Sequence, residues 1–207
     1  RALVLRSIVL SLVASSASAT LLRSYACRAG LLRMSAARIS AIAPERCFAR
    51  VPLSEVDAAF ALEVASYPAD EAATLEKLQL RSESAGDYFW GVSQGGTLQG
   101  FVCGTLTTGT TLTEESMSVH EPKGTTLCIH SVVVAAELRR RGLGGTMLKA
   151  YVQQVAEHSP VRTILLMCKK PLIPFYRDAG FALVGQSDVV HGADPWFEMK
   201  CVTKPSE

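Results

Sequence analysis

The sequence has almost no excess of charge and no cysteine pattern that would bind a metal ion. Its 207 residues contain 21 Lys and Arg against 19 Asp and Glu, a formal net charge of +2, so charge gives no reason to expect a nucleic acid partner. The six cysteines lie far apart, without a CxxC pair or histidines at zinc-site spacing. We therefore expect no metal site, and buried free thiols in a reducing compartment. These cysteines are Cys27, Cys47, Cys103, Cys128, Cys168 and Cys201.

The apolar run near the N-terminus is too short to span a membrane. The run SIVLSLVA at 7–14 falls well below the ~20 apolar residues of a transmembrane helix, so we expect no stable membrane insertion. Residues 1–43 contain arginines but no Asp or Glu, and ASA at 17–19 resembles a signal-peptidase site. Two interpretations stay open: a targeting segment for an organelle, or translation from Met34 and a cytoplasmic protein. Both give an intracellular protein whose folded domain spans 45–203.

The first half of that domain indicates strands alternating with helices. CFARV at 47–51 alternates like a short strand, and a helix follows in which Ser54 and Asp57 are spaced as a capping box. A second helix is predicted from near Asp70 to before Gly86.

Next comes a predicted hairpin, DYFWGVSQGGTLQGFVCGTLT, which turns at Gly95 and Gly96 and places Trp90 in the core. The polar segment 108–124 shows no periodicity and is predicted to be a loop, and loops of this length are often functional.

The second half predicts a strand, a glycine-rich turn, a helix and a strand in close succession. TTLCIHSVVVAAEL is a nearly continuous apolar run, typical of a buried strand, and the helix from Leu143 to His158 has one broad apolar face. VRTILLMCK follows as another buried strand. A short helix capped by Gly180 and two closing strands complete the domain, with His191 in a surface loop.

The turn LRRRGLGGTMLKAY at 138–151 combines charge with bare backbone at the start of a helix. Several unpaired N–H groups and the positive end of the helix dipole then point to one place, which suits a pyrophosphate. The sequence is neither GxxxxGK[ST] nor GxGxxG, which excludes a Walker A loop and a Rossmann fingerprint. We predict the cofactor-binding residues Arg139, Arg140, Arg141, Gly142, Leu143, Gly144, Gly145 and Thr146.

This Arg-x-x-Gly-x-Gly pattern resembles the acetyl-CoA loop of the GNAT N-acetyltransferase superfamily. The chain further resembles the arylalkylamine (serotonin) N-acetyltransferases in three segments: HSVVVAAELRRRGLGGTML, TILLMCKKPLIPFYRDAGFALVG and WFEMKC. A fourth segment, YPADEAATLEKLQLR, resembles the forms of this family without vertebrate-type regulatory tails. The resemblance implies a GNAT fold: an α/β domain with a mixed, mostly antiparallel sheet flanked by helices and splayed near the acetyl-CoA site. It also implies direct acetyl transfer from acetyl-CoA to a primary arylalkylamine, with no metal, in a protein that we expect to be a monomer.

His130 is the predicted general base, because an ammonium must lose a proton before it can attack. In the family pattern His130 matches the second of two histidines, and the first is here Cys128, which leaves one imidazole to act. The alternative is a structural histidine of the core.

Tyr176 in PFYRDAGF matches the family's general acid, which gives a proton to the departing thiolate. The alternative is an aromatic residue that only packs on its helix.

Further binding residues follow from the resemblance. A bulge in the strand ending near Val132, Val133 and Val134 would free N–H groups for the acetyl carbonyl and the pantetheine arm. Tyr67, Pro68, Met167 and Trp196 fall where the family contacts its amine. Two other functions stay open: acetylation of a polyamine, amino sugar or protein N-terminus, and a non-catalytic acyl-CoA sensor.

Overall fold

Seven strands form one sheet in the order β1-β2-β3-β4-β5-β7-β6. The computed structural model describes residues 45–189 and 195–204; the predicted targeting segment 1–43 and His191 lie outside them. Only β4 and β5 pair in parallel, and the other neighbours are antiparallel. The strands are β1 Arg46–Arg50, β2 Phe89–Gln94, β3 Thr97–Thr107, β4 Thr126–Val134, β5 Thr163–Lys169, β6 Ala182–Gln186 and β7 Trp196–Val202.

Four α-helices cover the two faces of the sheet. Because side chains alternate along a strand, Phe101 and Val102 of β3 belong to different apolar clusters. The Phe101 cluster includes residues of α1 and α2, and the Val102 cluster includes residues of α3 and α4. The helices are α1 Val56–Val64, α2 Leu75–Ser84, α3 Leu143–His158 and α4 Ile173–Asp178.

Helix α3 buries the face predicted from its periodicity. Met147, Leu148 and Tyr151 are fully buried, and burying an aliphatic side chain of this size stabilises the fold by about 1.5–3 kcal/mol. The Tyr151 hydroxyl donates a hydrogen bond to the carbonyl of Tyr88 (2.8 Å), which satisfies the one polar atom on this face. The helix therefore fixes the glycine-rich turn in front of it to the sheet.

Two details of the first helices differ from the prediction. Ser54 and Asp57 form no capping box: a 3₁₀ turn, Leu53–Glu55, precedes α1, and no side chain caps the helix. Helix α2 begins at Leu75 rather than near Asp70, because Thr74 caps it by accepting a hydrogen bond from the Lys77 N–H (3.3 Å). The segment between the helices instead forms turns, in which the Pro68 carbonyl accepts from the Glu71 and Ala72 N–H groups.

The other predicted elements agree with the structure. The hairpin β2–β3 turns at Gly95 and Gly96, both with positive φ, and Trp90 is half-buried against the core, with its ring centroid 5.2 Å from that of Phe48. The segment 108–124 is a loop between β3 and β4. Gly180, with φ of 96°, follows α4.

The sheet splits between β4 and β5. Their paired residues end at Ile129 and Leu166, although both strands continue. The register of β3 against β4 passes from Cys103↔Ser131 to Gly104↔Ile129, so His130 is an extra residue with none opposite. The β-bulge therefore lies at His130, within the strand ending near Val132–Val134 for which a bulge was predicted.

The cysteine prediction is confirmed at four positions and wrong at one. Cys103, Cys128, Cys168 and Cys201 are free and buried, whereas Cys47 is disulfide-bonded. Within residues 45–189 and 195–204, no group of three or more His, Cys, Asp or Glu side chains is placed to hold a metal ion. The helices of this same part include none with the length and apolar character to cross a bilayer.

Candidate active site

A cavity of about 570 Å³ occupies the split in the sheet. One wall is β4 from Ile129 to Val132, and the facing wall is β5 from Leu166 to Lys169. The turns after α1, the loop 108–124 and helix α4 supply further lining. The cavity collects seven of the residues predicted for chemistry or binding: Tyr67, Pro68, His130, Val132, Met167, Tyr176 and Trp196.

The hydrogen bonds of His130 assign its proton to Nε2. The Thr105 hydroxyl donates to the Ser116 carbonyl (3.1 Å), so it accepts from His130 Nε2, 2.8 Å away. Nδ1 is then the unprotonated nitrogen, and it is buried without a hydrogen-bond partner among the described residues. Burial, with the nearby charges of Arg81 and Lys77, holds the pKa of His130 well below its usual range. The imidazole is therefore neutral at pH 7 and can accept a proton.

Cys128 does not replace the missing second histidine as a base. Its side chain packs with Leu112 and Leu165 in a small apolar cluster, outside the cavity lining. Burial raises the pKa of the Cys128 thiol to about 11, so the group stays protonated at neutral pH. Of the two titratable side chains of β4, only His130 is therefore in a form that could accept a proton.

Tyr176 lies in the lining as a rigid, protonated phenol. Its ring packs edge-on against Phe175 and Phe181, with centroids 5.0 Å and 5.9 Å away. Its backbone carbonyl accepts from the Ala179 and Phe181 N–H groups. Burial, then the neighbouring Tyr67 and Cys168, hold the pKa of Tyr176 well above its usual range. Such a hydroxyl can give a proton but does not lose one to water at neutral pH.

Glu63 is a lining residue that the sequence interpretation missed. Its side chain is 2% exposed, and Oε1 accepts hydrogen bonds from the Ala73 N–H (3.0 Å) and the Ser131 hydroxyl (3.1 Å). Oε2 has no partner in the described structure. Burial raises the pKa of Glu63, against the opposing effects of these two hydrogen bonds and of Arg81. The spacing in the sequence could have indicated this burial, because Glu63 shares one helical face with the apolar Val56 and Ala59. These three residues are the buried positions of α1.

An ion pair joins two walls of the cavity. Lys169 Nζ, at the end of β5, lies 2.6 Å from Glu71 Oε1 in the turns after α1. The same ammonium lies 4.2 Å from the ring centre of Trp196, a cation–π distance. The pair thus holds the segment that carries Tyr67 and Pro68 against β5 and β7.

The predicted phosphate residues lie outside this cavity, at the start of α3. Gly142 has φ of 84° and is the N-cap, with no side-chain cap on the helix. A Cβ at Gly142 or Gly145 would meet no atom within 4 Å, so open space borders this N-terminus. Leu143 is buried in the core and Gly144 packs near Val134 and Phe175, so both could offer only backbone groups.

The three arginines are not equivalent. The Arg139 guanidinium donates to the Val134 carbonyl (2.9 Å) and to the Ser66 hydroxyl (2.7 Å), which ties the loop to the end of α1. Arg140, with φ of 61°, and Arg141 are exposed. Val133 is buried in the α1–α2 cluster, so its side chain does not line the cavity.

A comparison with protein families gives a match over the central part of the chain. The profile of the acetyltransferase (GNAT) family matches residues 56–181, more than half of the chain. The chain belongs to the GNAT acetyltransferase family. The match includes His130, the glycine-rich loop and Tyr176.

Curated relatives of this GNAT chain include serotonin N-acetyltransferases. The protein of Mesocricetus auratus is 35% identical over 106 residues, and that of Homo sapiens is 30% identical over 106 residues. Each alignment covers 51% of this chain and 51% of the relative. The chain thus spans about half the length of the curated relatives that it matches.

Solved structures agree with the GNAT fold. The loading GNATL domain of CurA from Lyngbya majuscula gives a TM-score of 0.70 at 13% identity, covering 76% of this chain and 98% of that one. The GphF GNAT-like decarboxylase in complex with isobutyryl-CoA gives 0.68 at 16% identity, covering 76% and 99%. At these identities the likeness concerns the fold alone, and one of these neighbours is named a decarboxylase.

Proposed function

We propose that the protein transfers an acetyl group from acetyl-CoA to the primary amine of an arylalkylamine of the serotonin or tryptamine type. The observation that carries this proposal is the meeting of His130 and Tyr176 in one cavity of about 570 Å³. One side chain is a neutral base and the other a protonated acid, as amine acetylation requires. The serotonin N-acetyltransferases among the relatives support the substrate class.

The residues at the start of α3 fit the phosphates of coenzyme A. The bare helix N-terminus of Gly142, the open space beside Gly145 and the exposed Arg140 and Arg141 offer N–H groups and charge to an anion. Arg139 would position the loop rather than bind, because its guanidinium is already hydrogen-bonded. When bound, acetyl-CoA supplies the acetyl thioester.

Two proton transfers are assigned to this chain's own side chains. His130 Nδ1 takes a proton from the ammonium, which frees the nitrogen lone pair for attack on the thioester carbon. The carbon–sulfur bond then breaks, and the Tyr176 hydroxyl gives its proton to the departing sulfur. The resulting phenolate takes the second proton that the newly acetylated nitrogen must lose, which leaves a neutral amide and restores Tyr176. Tyr67, Pro68, Met167 and Trp196 would enclose the aromatic part of the amine, since aromatic and thioether side chains suit such a slot.

A panel of amines assayed with acetyl-CoA tests the proposal. It should include tryptamine, serotonin, spermidine, an amino sugar and a peptide with a free N-terminus. We expect kcat/KM to be highest for the two arylalkylamines, by at least tenfold. A higher kcat/KM for spermidine, the sugar or the peptide would contradict the proposed substrate class and assign that amine's class instead. No turnover with any amine, together with tight acetyl-CoA binding, would favour an acyl-CoA sensor.

A further inference from the structure

Helix α2 presents two cationic side chains to the acceptor cavity. Lys77 and Arg81 are four residues apart, so they occupy one face of the helix, and both line the cavity. Lys77 is exposed and Arg81 is half-buried. The cavity therefore has a positive region on the side of α2, apart from the glycine-rich loop at the start of α3.

The positive charge of the Arg81 guanidinium is not balanced by a neighbouring carboxylate of the described residues. Its Nη1 donates a weak hydrogen bond to Cys103 Sγ at 3.9 Å. Among the described residues, no carboxylate lies within salt-bridge distance of it. Glu63 attracts it from a greater distance, but burial favours the uncharged form of that carboxyl. Lys169, the third cation of the lining, is already paired with Glu71.

Two cations beside the predicted base are unfavourable for a substrate that carries only an ammonium. Like charges in a partly desolvated cavity repel, and the same two charges oppose protonation of His130. An anion on the ligand would remove both difficulties, since it would pair with the guanidinium and offset its field at His130. Arg is also the side chain that best matches a carboxylate, because its fork of donors binds both oxygens.

We propose that Lys77 and Arg81 form an anion subsite in the acceptor cavity, which binds the carboxylate of an aromatic ligand. Aromatic amines that also carry a carboxylate would then be acceptors in addition to the arylalkylamines proposed above. The role of this subsite in catalysis rests on the proposed acetyl transfer, whereas the binding of an anion there rests on the lining residues alone. The aromatic part would lie toward Tyr67 and Trp196, which line the same cavity.

A pair of ligands that differ only in charge tests the subsite. Indole-3-propionate and indole-3-propionamide are titrated into the full chain by calorimetry, in the presence of coenzyme A. We expect the acid to bind at least tenfold more tightly than the amide. In Arg81→Gln this advantage should fall to threefold or less, and Lys77→Gln should reduce it to an intermediate value. Arg162→Gln, which changes an exposed arginine outside the lining, should leave the advantage intact.

The outcomes separate the subsite from the enzymatic activity. Equal binding of acid and amide to the unmodified protein would overturn the subsite, and so would an acid advantage that persists in both Arg81→Gln and Lys77→Gln. Because Lys77 is exposed, its variant remains informative if Arg81→Gln fails to fold. Turnover of tryptamine is measured on the same samples. An acid advantage without any turnover would contradict the proposed acetyl transfer while supporting the subsite, and turnover without an acid advantage would do the reverse.

Discussion

At the scale of single residues, hydrogen bonds decide which atoms can move a proton. Thr105 occupies Nε2 of His130 because its own proton goes to the Ser116 carbonyl. The tautomer of the proposed base therefore depends on the loop 108–124, which carries Ser116. A sequence shows neither contact, since Thr105 meets His130 only when β3 and β4 pair, and meets Ser116 only when the loop between them folds back.

Separate proton roles for Tyr176 and His130 predict different pH behaviour. Tyr176→Phe keeps the ring but removes the proton, so turnover of tryptamine should fall roughly 10²-fold at every pH, with little change in acetyl-CoA affinity. His130→Gln should lose most at neutral pH and recover in part above pH 9, where more of the amine is already free. Turnover from pH 6 to 10 checks both. Equal losses that do not vary with pH would leave only positional roles.

Glu63 is predicted to stabilise the fold through the two hydrogen bonds that Oε1 accepts. Glu63→Ala leaves the Ala73 N–H and the Ser131 hydroxyl without a buried acceptor, which should cost about 1–3 kcal/mol of unfolding free energy. Glu63→Gln keeps an acceptor oxygen and should cost less. Urea denaturation measures both, with the exposed Glu114→Ala as a control that should change stability by no more than about 0.5 kcal/mol.

The pH dependence of the same variants tests the direction of the Glu63 pKa. Because the folded-state pKa is raised, the carboxyl contributes stability that is complete below its unfolded pKa of about 4.5 and is lost as pH rises through the folded value. Glu63→Gln has no such loss. Its stability relative to the unmodified protein should therefore increase between pH 4.5 and pH 8, and a decrease would mean that the carboxylate form is the favoured one.

At the scale of elements, local periodicity predicts which helix face is buried, whereas the exact residue at which a strand bulges depends on the register of the sheet. The apolar face of α3 repeats every three to four residues, so its buried side chains could be predicted. The bulge at His130 depends on how β3 pairs with β4, which no local pattern encodes. The predicted start of α2 was wrong for another reason: Asp70 and Glu71 resemble the N-terminal residues of a helix, but the N-cap of α2 is Thr74.

Substitution of Gly142, in the turn before α3, is predicted to weaken coenzyme A binding in addition to lowering the stability of the fold. Gly142 has positive φ at a helix N-terminus, and Gly95 has positive φ in a hairpin turn; neither has an atom within 4 Å of an added Cβ. Alanine at either should cost stability by about 1 kcal/mol. Only Gly142→Ala should also weaken coenzyme A binding, by at least tenfold, as measured by calorimetry. Equal affinities for the two variants would remove the phosphate role.

At the scale of the domain, the strands and helices of the described residues 45–189 and 195–204 run from Arg46 to Val202. We predict that a chain beginning at Met34 folds and keeps its activity, because residues 1–43 lack acidic residues and show no periodic apolar face. Soluble yield, urea denaturation and turnover should match those of the full chain. Loss of folded protein after this truncation would show that the segment contributes to the domain.

The split between β4 and β5 has a consequence for amide hydrogen exchange. Along β4, Thr126–Ile129 face β5 as paired residues, whereas the residues from His130 onward do not. Val132–Val134 still pair with β3 on the other side, so only the N–H groups that point toward β5 lack a strand partner there, and such groups exchange with solvent deuterium sooner than laddered ones. An extended ligand that carries amides, as a pantetheine arm does, could act as a short surrogate strand there. We therefore expect coenzyme A to slow exchange along Val132–Val134 while leaving Thr126–Ile129 nearly unchanged, so the protein would complete its sheet only when its substrate arrives.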